Sequence, residues 1–286
     1  MEAKVVIPDV HDRASRPPAP TSRPVAISII TATLNAERFL PGCVQAVRAQ
    51  VGEGFTVEHV VVDGGSSDKT VGIARSHGCV VLEGRDSGVF DALNKGVRAA
   101  SGEVFTCLGA DDAVAPGALS AVADWFNHRH SEWVVGGCQW INGEGRSIGT
   151  RQLPRRIPRE VFASLGWNCL PFAATYMTRD FFERLGGYDA SFKIMADYKI
   201  FAEALDLQLY DRLTRVLAIM CLHGENVSAA TGSSRFSRER ERVADAYGPR
   251  SRVLRQIYRQ ALRVWLNGRN PRWFVGKRLF APRAHG

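Results

Sequence analysis

Two adjacent carboxylates follow a predicted buried strand in the stretch FTCLGADDAVAPG, which occupies residues 105–117. The residues before Gly109 are mostly apolar, whereas Asp111 and Asp112 come directly after the strand. Two carboxylates this close disfavour each other's ionisation unless water screens them or a cation lies between them. Mg²⁺ and Mn²⁺ prefer carboxylates together with phosphate oxygens. We therefore predict a divalent-cation site at Asp111 and Asp112 that a bound diphosphate completes.

Polar, glycine-rich segments also follow three earlier predicted strands. These segments are TATLN at 31–35, DGGSSD at 63–68 and GRDSG at 84–88. In an open parallel sheet, ligands bind at the carboxyl ends of the strands. Turns alone do not require so many acidic residues, so we expect the four strand ends together to hold a nucleotide and a divalent cation.

Strand and helix patterns alternate along most of the chain. Apolar runs predict strands over 25–30, 57–65, 79–84, 102–109 and 132–141, and helical spacing predicts helices over 37–49, 66–76, 89–99, 116–127, 180–185 and 196–207. We expect Ser66 or Ser67 to cap the second helix. This alternation predicts an α/β fold with a parallel sheet, and the pattern loosens after about residue 131.

The chain is basic, with a formal net charge of +8 and a pI near 9.4. The excess lies in residues 235–286, which contain 14 Lys and Arg against 3 Asp and Glu. Such charge indicates an anionic partner, which is a nucleic acid, a phosphorylated ligand or an acidic membrane surface.

Several features indicate a cytosolic protein. Residues 1–24 are rich in Pro, Arg, Ser and Ala and lack the apolar segment of a secretion signal, so we expect a disordered leader. The six cysteines are dispersed without CxxC spacing, which predicts buried, reduced thiols. The sequence also lacks an apolar run of the length, about 18 residues, that spans a membrane.

A series of stretches resembles the family 2 glycosyltransferases with the GT-A fold, over roughly residues 25–230. They are, in order, ISIITATLNAERFL, VVVDGGSSDKT, RDSGVFDALNKGVRAASGEV, LGADD, LGGYDASF and MADYKIFAEAL. Each motif is weak alone, but their order and spacing together are specific. The stretch at 85–112 is especially similar to a bacterial branch that builds extracellular and surface polysaccharides. The resemblance implies a Rossmann-like, mostly parallel central sheet flanked by helices.

The resemblance also implies a domain plan and an activity. A nucleotide-binding half would occupy 25–130 and an acceptor-binding half 131–232. Beyond the resemblance, the residues themselves predict a basic, amphipathic helical tail at 233–286. The implied reaction transfers a hexosyl or N-acetylhexosaminyl group from a nucleotide-diphosphate sugar to an acceptor hydroxyl, with inversion at the anomeric carbon. We expect Mn²⁺ or Mg²⁺ as the cofactor and favour a UDP-sugar as the donor.

Individual roles follow from the same resemblance. Nucleotide contacts fall on Thr31, Thr33, Asn35, Glu37, Asp63, Asp86, Lys95 and Asp111. Asp111 also matches the metal motif, with Asp112 beside it and His223 as a late histidine that approaches the metal or diphosphate. Asp197 matches the general base, which takes the proton of the attacking hydroxyl. One such carboxylate suffices because inversion needs no covalent sugar–enzyme intermediate.

Structural explanations remain open for several of these residues. Asp63 is also typical of a turn, Asp112 and Asp197 could each cap a following helix, and His223 could be a hydrogen-bonded structural histidine. For Asp91 we favour an i,i+4 ion pair with Lys95.

This sequence departs from the family pattern at three places. Gly109 stands where many relatives carry an acid, which puts the metal ligands in doubt. Gly64 stands where many relatives carry a second acid after Asp63, which puts the usual contact with the nucleotide base in doubt. Phe172 and Ala173 replace a His-Gln pair, which indicates a different acceptor or sugar pocket.

The tail combines basic, apolar and aromatic residues. An apolar stripe would be formed by Leu254, Ile257, Tyr258, Ala261, Leu262 and Trp265, with Arg252, Arg255, Arg259 and Arg263 largely off it and Trp273, Phe274, Leu279 and Phe280 beyond it. This pattern favours membrane contact through residues 251–280. The alternative is a helix that packs on the catalytic domain with a solvated Arg face.

Other functional classes explain less of the sequence. A nucleotidyltransferase would need a glycine-rich, basic loop after the first strand, which TATLNAERF lacks. A non-enzymatic nucleic-acid or membrane-binding protein leaves the acidic strand ends unexplained, and an inactive relative would not need Asp111 and Asp197. We expect an enzyme with a glycan or lipid-linked acceptor and no nucleic acid, in the cytoplasm and peripheral on the inner face of the cell membrane; a homo-oligomer is left open.

Overall fold

The structure, a computed structural model, describes residues 24–50, 52–151, 153–223 and 233–271. Its strands are β1 (Val25–Thr33), β2 (Phe55–Asp63), β3 (Val80–Glu83), β4 (Val104–Cys107), β5 (Ala113–Val114), β6 (Trp133–Asn142), β7 (Ser147–Arg151), β8 (Thr175–Thr178) and β9 (Asp211–Leu222). Its helices are α1 (Leu40–Arg48), α2 (Thr70–Ser76), α3 (Val89–Ala99), α4 (Ala118–His128), α5 (Arg159–Leu165), α6 (Arg179–Arg184), α7 (Ala196–Leu207), α8 (Ser234–Tyr247) and α9 (Arg252–Arg269), with a short 3₁₀ turn at Phe172–Ala174.

These strands form one mixed sheet in the order β3-β2-β1-β4-β8-β6-β9-β5, with β7 paired to β6. Strands β1 to β4 run parallel, and β8 is antiparallel to both of its neighbours. The register aligns Thr33 with Asp63 and Asp63 with Glu83. The first three strands therefore end side by side, which places the segments after them at one edge.

Helices cover both faces of the sheet, which explains why β1 is apolar on both sides. Ile27 and Ile29 face one core cluster, which includes Leu40, Val44 and Leu119 from α1 and α4. Ile30 faces the other cluster. That cluster also contains one side chain from each of α3, α5, α6 and α7, namely Leu93, Phe162, Phe181 and Phe201. The molecule is thus the three-layer α/β arrangement that was predicted.

The C-terminal helices pack on the second face. Val243 of α8 and Leu266 of α9 are buried in the same cluster as Phe162 of α5. The described part of the tail therefore shares the core of the main fold. The predicted leader lies outside the described residues apart from Pro24, and so do Trp273, Phe274, Leu279 and Phe280.

Each predicted strand and helix is present, and the predicted bounds of α3 and α7 coincide with those observed. The predicted cap of α2 was wrong. This helix begins at Thr70 rather than at 66, since Asp68 accepts the Thr70 N–H while the Ser66 hydroxyl binds Asp63. Where the sequence pattern loosens after residue 131, the structure also has β7 and α5, which were not predicted.

Candidate active site

The segment after β4 brings an aspartate pair against the end of β9. Strand β5 pairs with β9, and this pairing places Asp112 so that its Oδ1 accepts the backbone N–H of Cys221 at 3.0 Å. His223 Nε2 lies 2.8 Å from Asp111 Oδ2. The His223 ring stacks on Phe39, with centroids 4.6 Å apart, so that the imidazole is fixed in place. The three predicted metal-site residues are therefore adjacent.

The two carboxylates differ in environment. Asp112 is buried, and burial together with the charge of Asp111 raises the pKa of its carboxyl to about 8. The suggestion that Asp112 caps the following helix was wrong, because its carboxylate joins β9 and the residue that caps α4 is Gly117. Asp111 is partly exposed, with 22% of its side chain accessible. Asp111 is thus the carboxylate that a ligand reaches from solvent.

Gly109 makes room for this pair. A Cβ added at position 109 would lie 2.5 Å from Asp111 Oδ1 and 2.9 Å from Asp112 Oδ2. The two carboxylates therefore occupy the space that a side chain at position 109 would need.

Two carboxylates and an imidazole form a donor set that suits Mn²⁺ or Mg²⁺ when phosphate oxygens complete the coordination. Within the described residues, however, no three acidic, histidine or cysteine side chains converge as a preformed metal cluster. The residues fit such an ion as a partial site, in which Asp111 is the most accessible ligand.

Asp86 carries a buried carboxylate oxygen beside the ends of β1 and β2. Its side chain is 8% exposed, and it forms an ion pair with Lys95 through Oδ1. Oδ2 is buried and has no hydrogen-bond partner. It faces the backbone at Gly64, where an added Cβ would lie 3.7 Å away. A buried acceptor without a donor indicates a place where a ligand hydroxyl or N–H would bind.

Lys95 is held by several groups at once. Its ammonium donates to Arg85 O at 3.0 Å and lies 3.3 Å from Asp91, which confirms the expected i,i+4 ion pair. These contacts raise the pKa of Lys95, with the hydrogen bond to Asp86 as the largest cause, so its positive charge lies beside Asp86 throughout the neutral range.

Asn35 and Glu37 bind the neighbouring loop. Asn35 has a left-handed backbone, with φ of 51°, and its Oδ1 accepts the Ser67 N–H at 2.9 Å. Glu37 Oε2 accepts the Lys69 N–H, and Asp68 accepts the Glu37 N–H, each at 3.0 Å. The two residues therefore lie at the predicted edge, where they tie the loop after β1 to the loop after β2.

Asp63 and Thr33 form the base of this edge. Asp63 accepts the N–H groups of Gly65 and Ser66 and the hydroxyls of Ser66 and Thr33. Burial alone would raise the pKa of Asp63, but these hydrogen bonds lower it below its usual value. The structural explanation of Asp63 as a turn residue thus has direct support, and its contact with a nucleotide stays a prediction.

Thr31 is the residue that the structure does not bring to the edge. Its side chain is fully buried, and its Oγ1 lies 2.9 Å from His59 Nε2 within the core. It supports the strand rather than facing a ligand, because the predicted motif begins two residues before the strand ends at Thr33.

Asp197 lies in the first turn of α7. Its Oδ2 accepts a hydrogen bond of 2.8 Å from Asn168 Nδ2, and its Oδ1 accepts the Tyr198 N–H at 2.8 Å. Burial raises the pKa of Asp197, and the bond from Asn168 opposes this. The residue at the N-cap position is Met195, so the simple capping explanation of Asp197 was wrong. A carboxylate with raised proton affinity is suited to accept a proton.

Sequence reasoning missed Asn168, which binds Asp197, and the residues that hold the segment before α7. Asn168 lies between α5 and β8, in a stretch with no periodic pattern. Asn94 of α3 binds both backbone groups of Tyr188, and the Lys193 ammonium donates to Ser87 O at 2.7 Å. These contacts join the segment before α7 to the loop that carries Asp86. The only available signal was the polar amide of Asn94 within an amphipathic helix.

All six cysteines lie within the described residues, and none of them forms a disulfide there. Four are buried, as predicted, whereas Cys79 and Cys221 are half-buried.

The sequence of this chain is similar to those of known glycosyltransferases. The family model described as glycosyl transferase family 2 matches residues 28–186, which is more than half of the chain. A relative in Mycobacterium bovis (strain BCG / Pasteur 1173P2), the PGL/p-HBAD biosynthesis glycosyltransferase, is 31% identical over 179 residues. The match covers 60% of this chain and 66% of that relative.

Solved structures share the fold at low sequence identity. S. aureus TarS 1-349, in complex with UDP-GlcNAc, aligns with a TM-score of 0.58 at 16% identity, covering 88% of this chain and 79% of that one. The mannosyltransferase PcManGT from Pyrobaculum calidifontis, in complex with GDP-Man and Mn²⁺, aligns with a TM-score of 0.55 at 18% identity, covering 77% and 65%. The fold is that of the GT-A glycosyltransferases, and the chain belongs to glycosyl transferase family 2.

Proposed function

We propose that this chain is a metal-dependent, inverting glycosyltransferase that transfers a sugar from a nucleotide-diphosphate sugar to an acceptor hydroxyl. One observation carries the proposal: Asp86 and Asp111 follow the carboxyl ends of β3 and β4, His223 contacts Asp111, and the segment before Asp197 is bonded to the loop of Asp86 through Lys193 and Ser87 O. These groups suit, in turn, the nucleoside, the diphosphate and the acceptor hydroxyl.

Asp197 has the contacts that a general base requires. Asn168 and the Tyr198 N–H hold its two oxygens, so the carboxylate has a fixed orientation. It would take the acceptor proton while the hydroxyl oxygen attacks the anomeric carbon from the face opposite the diphosphate. Because burial raises the pKa of Asp197, activity should fall as pH decreases through that raised value.

The other end of the reaction requires charge stabilisation at the leaving diphosphate. Asp111, Asp112 and His223 would hold a divalent cation there, and such an ion acts as a Lewis acid on phosphate oxygens. The stack of His223 on Phe39 keeps the imidazole beside Asp111.

A UDP-sugar is the donor that we favour. S. aureus TarS, which binds UDP-GlcNAc, supports this choice, whereas the P. calidifontis enzyme binds GDP-Man. The unpaired Oδ2 of Asp86 would accept a hydrogen bond from the base or the ribose. The nucleotide base is therefore the first property to measure.

A membrane-proximal acceptor, a glycan or a lipid-linked sugar, would agree with the surface of α9. The domain side of this helix carries Arg255, which binds Asp245 and Pro249 O, and Arg259, which binds Ser164 O. Its solvent side carries large apolar side chains: Val253 is 70%, Ile257 56%, Val264 72% and Trp265 38% exposed. The tail thus packs on the domain, as the alternative expected, but its solvated face combines these apolar side chains with exposed arginines.

This face suits shallow insertion into an anionic lipid surface. Arg252, Arg263 and Arg269 are exposed near it and would meet lipid phosphates. Among the helices of residues 24–50, 52–151, 153–223 and 233–271, none has the length and apolar character to cross a membrane. We therefore propose peripheral contact with the inner face of the cell membrane.

Calorimetric titration tests the donor site. UDP, GDP and dTDP are each titrated with and without Mn²⁺ into the wild type and into Asp111→Asn. We expect Mn²⁺-dependent binding of UDP that Asp111→Asn abolishes. The proposal is wrong if no nucleotide binds under any of these conditions.

Flotation with vesicles tests the membrane contact. Vesicles of phosphatidylglycerol and of phosphatidylcholine are mixed with the wild type, with Val264→Glu and with Leu207→Glu. Leu207 is 60% exposed on α7 and serves as the matched control. Binding to the anionic vesicles should be lost in Val264→Glu only. Equal flotation of the wild type and Val264→Glu would contradict this contact.

A further inference from the structure

A buried carboxylate of the C-terminal segment reaches the start of the helix that carries Asp197. Glu239 of α8 is 4% exposed. Its Oε1 accepts the Lys193 N–H at 2.8 Å, and its Oε2 accepts the N–H groups of Ile194 and Met195, each at 3.0 Å. These three residues directly precede α7.

This contact does what a capping side chain normally does within one helix. The N-terminus of a helix has unpaired N–H groups and a partial positive charge, both of which a carboxylate satisfies. No side chain at the N-cap position Met195 supplies such a bond. A residue some 40 positions later in the chain supplies the anion instead, as its separation of 44 from Met195 shows.

The same segment is also tied to the donor side. The Lys193 side chain donates to Ser87 O at 2.7 Å and to Ala190 O at 2.8 Å. Asn94 holds Tyr188 from α3. The backbone before α7 is therefore fixed from one side by the loop near Asp86 and from the other by Glu239.

The contacts explain why this residue is a carboxylate. A buried charge is costly unless its oxygens are hydrogen-bonded, and here both oxygens accept peptide N–H groups that an apolar side chain would leave without an acceptor. The carboxylate is placed where it orients three successive peptide groups, and Asp197 follows two residues after the last of them.

We propose that Glu239 is a positioning residue for the transfer reaction, because its carboxylate fixes the backbone before α7 and so the place of Asp197. This inference rests on the proposed role of Asp197 as general base. The C-terminal segment is then part of the catalytic apparatus and not only a surface for attachment.

Two titratable groups of the described residues act on Asp197. Glu239, from α8, adds a negative charge that raises the pKa of Asp197. Tyr188, from the loop after α6, has its own pKa raised well above the ordinary value by burial, and it stays neutral across the assay range. Removal of the charge at Glu239 should therefore move the acid limb of the activity profile to lower pH.

The test compares Glu239→Gln and Glu239→Asp with Glu241→Gln in the full chain. Glu241 is on the exposed side of the same helix and pairs with Arg240, so its variant controls for a lost surface charge. The assay measures release of nucleoside diphosphate from UDP-glucose, UDP-GlcNAc and GDP-mannose, with water as the acceptor, between pH 5 and 9. Melting temperature and Mn²⁺-dependent UDP binding report the folded donor site.

We expect Glu239→Gln to retain UDP binding and to lose about tenfold or more in turnover, since displacement of a catalytic group by 1 Å is sufficient for such losses. Its acid limb should lie at lower pH than in the wild type. Glu239→Asp keeps the charge and should keep the position of that limb, and Glu241→Gln should resemble the wild type.

Three results would overturn the inference. One is unchanged turnover in Glu239→Gln. Another is a loss of turnover that matches the loss of folded protein, with the acid limb unmoved. The third is failure of both Glu239 variants to fold, which would make this carboxylate a residue for stability alone. A wild type that releases no nucleoside diphosphate refutes the proposed function instead.

Discussion

Replacement of Asn168 by Ala should shift the pH dependence of activity without changing donor binding. Asn168 Nδ2 donates to Asp197 Oδ2 at 2.8 Å, and this bond favours the ionised carboxylate. A hydrogen bond to a charged group contributes about 1.5–3 kcal/mol. Asp197 is half-buried, so we take the lower figure, which corresponds to about one pH unit.

The sign of this shift is determined by the structure. Without the Asn168 amide, burial is less opposed and the pKa of Asp197 rises further, so the acid limb of kcat/KM moves to higher pH by about one pH unit. The assay is release of nucleoside diphosphate from the preferred donor between pH 5 and 9. Asn127→Ala, near the opposite ends of the strands, is the control.

An unmoved acid limb in Asn168→Ala, with normal folding, would refute the assignment of Asp197 as the base. A shift to lower pH would refute it equally, because the bond from Asn168 would then favour the protonated form.

Three further changes have definite expected outcomes. Gly109→Ala should weaken Mn²⁺-dependent UDP binding about tenfold in calorimetry, because the added Cβ would lie against the carboxylate oxygens of Asp111 and Asp112; unchanged binding would contradict this. Asp86→Asn should weaken nucleotide binding by roughly 1–3 kcal/mol, since it disturbs a buried acceptor and its Lys95 partner, whereas tighter binding would exclude contact with the nucleotide. Leu266→Ala should lower the free energy of unfolding by about 2–5 kcal/mol in denaturant melts, because this side chain is buried in the main core, and a cost below about 1 kcal/mol would indicate a detachable tail.

The nucleotide side of the fold was predictable because its signals are local. Buried β-branched runs specify strands such as β1 and β2, and glycine and aspartate mark where they end. The sheet then aligns Thr33 with Asp63 through register alone. Even here, the prediction that Thr31 faces the nucleotide does not agree with its buried position. The sequence motif alone does not show how many residues before the end of β1 are covered by the core.

The acceptor side was less predictable because its contacts are distant in sequence. Asn168 reaches Asp197 across 29 residues, and Glu239 reaches Met195 across 44. Neither residue lies in a periodic pattern that marks it as buried, and Glu239 is surrounded by arginines in the sequence. Polar residues of this kind are identified only when the helices are packed.

The sequence also did not show which side chains of α9 face solvent. Alternating arginine and apolar residues suggest that arginines face water, yet Arg255 is 8% exposed and Ile257 56%. Arg255 is buried because Asp245 and Pro249 O satisfy its guanidinium, while Arg259 binds Ser164 O beside α5. Buried carbonyls and a carboxylate can thus compete with water for arginine, so that Arg255 and Arg259 face the domain while Val253, Ile257 and Val264 are exposed.

Burial raises the pKa of Asp197, and two neighbours modify that pKa in opposite directions. Asn168 stabilises the charged form, and Glu239 destabilises it. Both neighbours depend on the C-terminal helices, because Glu239 belongs to α8 while α9 packs on α5, just before Asn168, through Arg259 and Ser164 O. If the outer face of α9 binds a lipid surface, the helix that contacts the membrane is also one that supports the segment of Asn168 beside Asp197. A membrane-bound acceptor would then meet a base that the same helices hold in place.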